Sequence, residues 1–170
     1  RGFKGVSDRW GPTKLVSNNL TWFNLDLTLR PALVESWEIS EDAATWTWHL
    51  RRGAKWSDGT PLTSEDFDWY YKHYAQNTEL SPVIPSVLST GTPKVLAEFS
   101  APDEFTVTYQ YAHPNPLLSY EVAPHTLQPL YSPGHYMQRY HMELTEDAAA
   151  LQAEITEKGF DSWAAYFADR

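Results

Sequence analysis

An α+β fold, small antiparallel β-hairpins packed against helices, is what this sequence predicts. Three observations carry that expectation. Trp46, Trp48 and Leu50 alternate with Thr45, Thr47 and His49, the period of a half-buried strand. Val95 to Tyr111 repeats the alternation on either side of a polar break. Between the two, Phe67, Tyr70, Tyr71 and Tyr74 recur at i, i+3, i+4, i+7, a helical stripe.

The joint between strand and helix runs from Leu50 to Asp66. Arg51-Arg52-Gly53 ends the strand, and Ala54-Lys55-Trp56 resumes a short extended piece. Ser57-Asp58-Gly59-Thr60 is a tight turn, in which Gly59 is free to adopt φ > 0 and the Asp58 side chain can bond the backbone just ahead. Pro61 fixes one further φ. Thr63 stands where an N-cap belongs, with Glu65 and Asp66 against the positive end of the helix dipole.

In chain order, residues 1–30 read as a lead-in without a period, with Asn24 to Thr28 a turn. Residues 31–112 hold the two hairpins and the capped helix. In the first hairpin Leu33, Trp37 and Ile39 face one way and Val34, Ser36 and Glu38 the other, and residues 40–44 form its turn. Residues 81–93 are a Pro/Ser/Thr/Gly loop anchored by Val83, Ile84, Val87 and Leu88. In the second hairpin residues 100–104 turn. Residues 113–170 form a loop and helices. Two prolines around Asn115 take the chain out of the sheet, Thr145 caps a helix with the stripe Ala148, Leu151, Ile155, Gly159 stops it, and Asp161 caps a last segment. The whole reads as one domain, long enough to bury roughly 70% of its unfolded surface.

The segment LRPALVESWEIS followed by TWTWHLRRGAKWSDGTPLTSEDF resembles the family 5 extracellular solute-binding proteins, the oligopeptide-, dipeptide-, nickel- and oligosaccharide-binding receptors of ABC importers. Pro31, Leu33, Glu35, Ser36, Trp37, Glu38, Leu50, Arg51, Gly53, Lys55, Asp58, Gly59, Thr60, Pro61, Thr63, Glu65 and Asp66 all match the pattern of that family. Val34, Ala43 and Ser64 depart from it, Ala43 replacing a usual turn glycine. The second hairpin, the Pro114-Asn115-Pro116 exit and the pair His135-Tyr136 also have counterparts. The resemblance implies an α/β periplasmic-binding-protein-like piece of a first lobe. It implies extracytoplasmic capture of a peptide or oligosaccharide, delivery to ABC permease subunits, and no resident cofactor. The chain opens at Arg1 without an apolar leader and lacks a transmembrane run, so the expectation is a piece of a longer exported protein.

Composition excludes some rivals. A formal net charge of -9 argues against nucleic acid, whose phosphates need clustered Lys and Arg. The acidic pairs Glu41-Asp42, Glu65-Asp66, Asp103-Glu104 and Glu146-Asp147 are neighbours along the chain, not the facing carboxylates of a glycosidase. His113, His125, His135 and His141 lack metal-ligand spacing, and no nucleophile or phosphate-binding motif occurs. No catalytic or metal-binding residue is therefore expected; His135 and Glu143 would be the first to test for an activity.

The 8 Trp and 10 Tyr leave one further question. Those at regular spacing, Trp37, Trp46, Trp48, Phe67, Tyr70, Tyr74, Phe105 and Tyr109, belong to the core. The aperiodic Trp10, Trp22, Phe23 and Tyr120, with Asn18 and Asn115 as polar neighbours, are the candidate ligand contacts. A free-standing carbohydrate-binding module is the alternative, and it needs an exposed planar row of Trp or Tyr.

Overall fold

A computed structural model describes residues 19–123 and 130–170. Four antiparallel strands form the main sheet in the order β3 (Val34–Ile39), β4 (Thr45–Leu50), β8 (Thr106–Gln110), β7 (Glu98–Asp103). The two hairpins predicted separately are thus one sheet, because β4 pairs with β8: Trp46 stands opposite Tyr109 and Trp48 opposite Val107. Two short ribbons flank the sheet, β1 (Thr21–Phe23) with β2 (Leu29–Pro31) and β5 (Ser89–Thr90) with β6 (Val95–Leu96). The end of the predicted lead-in is therefore tied to residues 31–33: Thr21 pairs with Pro31, and Leu33 donates its N–H to Asn19.

The inner face of the sheet carries Val34, Trp46, Trp48, Leu50, Val107 and Tyr109, all buried. The indole rings of Trp46 and Trp48 stack at 5.3 Å, and Trp37 lies tilted 5.8 Å from Trp48. The expected facing of β3 needs correction. Between Val34 and Ser36 the register shifts, so that Val34 opposes Leu50 while Trp37 opposes Trp48. A bulge of one residue reverses parity, which sends Val34 inward instead of outward. Ile39 keeps the predicted side but sits at the sheet's end, 44% exposed. The second turn is tighter than predicted: β7 runs to Asp103, whose carboxylate accepts the Phe105 N–H at 2.8 Å.

Helix α1 (Ser64–Trp69) continues as a π-helical turn, Tyr70–Ala75, and packs its Phe67 and Tyr70 into the same core. It is bolted to the β7–β8 turn by Ser64, whose N–H donates to Glu104 and whose hydroxyl donates to Asp103. Of the loop anchors, Val87 and Leu88 are buried in a 3-10 turn, but Val83 points to solvent. The short helices α2 (Leu118–Glu121) and α3 (Gly134–Met137) lead to the C-terminal pair α4 (Ala148–Glu157) and α5 (Trp163–Ala168). Asp147, not Thr145, caps α4, and Ser162, not Asp161, caps α5, each through a side-chain oxygen three residues ahead of the N–H it accepts. Leu151 and Ile155 form the buried stripe of α4; Ala148 is exposed. With Tyr166 they make a second, smaller core.

Candidate ligand-binding face

The Asp-Gly joint holds as a unit. Gly59 lies at φ 92°, and its N–H donates to Trp56. Asp58 accepts the Thr60 N–H at 2.9 Å and the ring Nε2 of His135 at 2.8 Å. Those two bonds, the Thr60 N–H first, hold its carboxyl down at about 2. Pro61 bridges to Lys55, closing the turn. Thr63 and Asp66 form a reciprocal capping box: Thr63 accepts from the first turn, and the Asp66 carboxylate accepts the Thr63 N–H at 3.0 Å. Burial raises the pKa of Asp66, against that hydrogen bond. Nothing in the sequence hinted that His135 would reach Asp58, 77 residues away.

The aromatic candidates divide. Trp10 and Asn18 lie outside the described residues. Phe23 and Tyr120 meet, ring centroids 6.2 Å apart. They meet because β1 is pinned to the α2 segment: the buried Thr21 hydroxyl donates to Ser119, and Asn19 donates to Ala123. Tyr120 is half exposed, with the exposed Leu117 one turn before it. Trp22 is half-buried on the same strand as Phe23. Asn115 serves elsewhere. Its backbone N–H donates to Ala43, and its carbonyl accepts from the Trp46 indole at 3.0 Å, so it staples the first turn. The result is an aromatic face made by Phe23 and Tyr120, with Tyr120 half exposed among the described residues.

Two shallow clefts lie away from that face. One, of about 430 Å³, is lined by His135, Arg139, Glu146 and Glu154; another, of about 560 Å³, lies between α1 and β7. Neither includes a candidate aromatic. The acidic pairs are occupied with structure, Asp42 accepting from Ala44, Asp103 from Phe105 and Asp147 from Ala150. Among the described residues no group of three metal-ligating side chains converges. Trp46 and Trp48 are buried and Trp37 packs on them, so these three form no exposed sugar-stacking row.

A four-stranded antiparallel sheet packed against helices and flanked by two short ribbons is an α+β architecture. The profile of "Bacterial extracellular solute-binding proteins, family 5 Middle" matches residues 28–162. The chain belongs to that family. Among its relatives, the periplasmic oligopeptide-binding protein OppA of Escherichia coli (strain K12) is 44% identical over 59 residues, 35% of this chain and 11% of that protein. The periplasmic alpha-galactoside-binding protein of Rhizobium meliloti (strain 1021) is 33% identical over 121 residues, 68% of this chain and 16% of its own length. A solved oligopeptide-binding protein OppA superposes with a TM-score of 0.79 at 29% identity, covering 99% of this chain and 26% of its own. The chain thus spans about a quarter or less of the length of these relatives.

Proposed function

We propose that this chain is part of the first lobe of an extracytoplasmic receptor, one that captures a peptide or oligosaccharide and presents it to the permease subunits of an ABC importer. The observation that carries the reading is the family match over residues 28–162, joined to a fold that follows a solved oligopeptide-binding protein across nearly the whole chain. The solute classes come from relatives named for oligopeptides and alpha-galactosides. The chain's part is scaffolding and one wall of the site, not chemistry, and Phe23 and Tyr120 are the side chains offered to the solute. Capture works by two lobes closing, which exchanges ligand hydration for protein hydrogen bonds and apolar contact.

Titration calorimetry tests this directly. Residues 1–170 should give no binding heat with tri- to pentapeptides or with raffinose at ligand concentrations around micromolar. The chain extended by the rest of its reading frame should bind one of the two classes at micromolar affinity or better. Tight binding by the chain alone, or none by the extended protein with either class, would overturn the proposal.

A further inference from the structure

The chain has one Asp-Gly step, Asp58-Gly59, in the turn before α1, and no Asn-Gly. Aspartate followed by glycine is open to backbone isomerisation, because no Cβ hinders the glycine nitrogen. In that reaction the Gly59 nitrogen attacks Cγ of a neutral Asp58 carboxyl. An N–Cγ bond forms, the nitrogen gives up its proton, and the carboxyl hydroxyl leaves with it as water. The product is a five-membered imide. Water then opens the ring at Cγ, which restores aspartate, or at the main-chain carbonyl of Asp58, which leaves the chain running through Cβ as isoaspartate. One water is lost and one regained, so no second reactant is consumed and the mass is unchanged.

Access does not prevent this chemistry. The Asp58 side chain is half exposed, and Gly59 is exposed with no atom within 4 Å of where a Cβ would stand. What opposes it is a set of hydrogen bonds on both reacting groups. The Gly59 N–H donates to the Trp56 carbonyl at 3.0 Å, which occupies the nucleophile. The two carboxylate oxygens are divided: Oδ1 accepts the Thr60 N–H at 2.9 Å, and Oδ2 accepts from His135 Nε2 at 2.8 Å. Bonds of that kind favour the ionised carboxylate, held here at about 2, and the ionised form has no hydroxyl to lose.

His135 is brought to the turn from 77 residues away and aimed by its surroundings. The Ser132 N–H donates to the Asp66 carbonyl at 3.1 Å, which ties the start of α3 to α1. Gly134 lies so close to Trp69 that a Cβ would come within 2.6 Å of the indole, and the His135 ring leans on Trp56 at 6.4 Å. The neutral Nε2–H ring and the protonated ring both donate, so the bond to Asp58 does not depend on the charge of His135. We propose that Asp58-Gly59 is a latent isomerisation site and that His135 guards it, by holding the carboxylate oxygen that the turn's own hydrogen bonds leave free. Isoaspartate would lengthen the turn by one backbone atom and pull apart the Lys55–Pro61 bridge, so the guard preserves the joint between strand and helix.

Isoaspartate at position 58, counted by peptide mapping after weeks at about pH 6, is the readout. The folded chain should isomerise more slowly than the same chain unfolded in urea, by a factor on the order of ten to a hundred, since each pKa unit is a tenfold change in the neutral carboxyl. His135→Ala and His135→Phe remove the donor and should speed the folded reaction by up to about tenfold. That increase should exceed what each variant's unfolded fraction, multiplied by the unfolded rate, supplies. Rates in both variants equal to the wild type, or raised only by their unfolded fractions, overturn the proposal. So does a folded wild type that isomerises as fast as its unfolded chain, a comparison for which no variant has to fold.

Discussion

Ala43 occupies a left-handed backbone position, φ 55°, in the turn between β3 and β4. An L-residue there sets its Cβ against the following carbonyl, a strain of roughly 1–2 kcal/mol. The turn nevertheless holds it, because the Ala43 N–H donates to Ser40 and its carbonyl accepts from Asn115, both at 2.8 Å. Glycine keeps those two backbone bonds and removes the clash. Against that gain stand the greater freedom of glycine in the unfolded chain, roughly 0.5–1 kcal/mol, and a few tenths for a half-buried methyl. The net for Ala43→Gly is a stabilisation of about 0.5 kcal/mol, or a urea midpoint raised by about 0.3 M for a slope near 2 kcal/mol/M. Ala101, exposed in β7 of the same sheet and not at positive φ, is the control. There the identical substitution should lower the midpoint by about as much, since only the entropic cost remains. Tryptophan fluorescence reports both, because Trp46 and Trp48 sit in the sheet's core. If the two variants shift in the same direction, the strain argument fails.

Other outcomes rest on single contacts. Thr63→Ala removes half of the capping box and should cost about 1 kcal/mol in urea unfolding. Tyr109 is fully buried, and its hydroxyl has no hydrogen-bond partner among the described residues, so Tyr109→Phe should raise the urea midpoint, by about 1 kcal/mol of stability. Asp58, held at about 2 in the fold, contributes stability above the unfolded carboxyl range near 4 that is lost as pH falls through 2; Asp58→Asn should flatten that limb of midpoint against pH. Asp66, whose pKa burial raises, gains stability as pH falls through that raised pKa towards the unfolded carboxyl range near 4, so Asp66→Asn should remove the gain just above pH 4, separately from the Asp58 limb below it.

What could be read in advance was local. The strand β4, the Asp58-Gly59 turn, the Thr63 cap and the Gly59 and Gly159 conformations each arise from residues within a few positions of one another. The caps of α4 and α5 lie two and one residues beyond the predicted ones, where several side chains able to cap stand side by side, and only the chain's direction at that point decides between them. The face of β3 differs from the predicted one because a bulge adds one residue without any compositional mark, and a single added residue reverses every side chain beyond it. The union of the hairpins rests on β4 meeting β8 some sixty residues on, and no periodicity records a partner. The same holds for His135 on Asp58 and for the burial of His141.

In the candidate site the aperiodic aromatics meet through contacts that no periodicity records. Phe23 and Tyr120 come together through a buried bond from Thr21 and a half-buried one from Asn19 to the α2 segment, and Asn115 staples a turn instead. A ligand held well has roughly 70–90% of its surface covered. Among the described residues Tyr120 is half exposed, and neither cleft includes Phe23 or Tyr120. A second surface brought over Phe23 and Tyr120 would change the affinity by covering what they leave open, so the same two side chains should matter little to the chain alone and much to the extended protein.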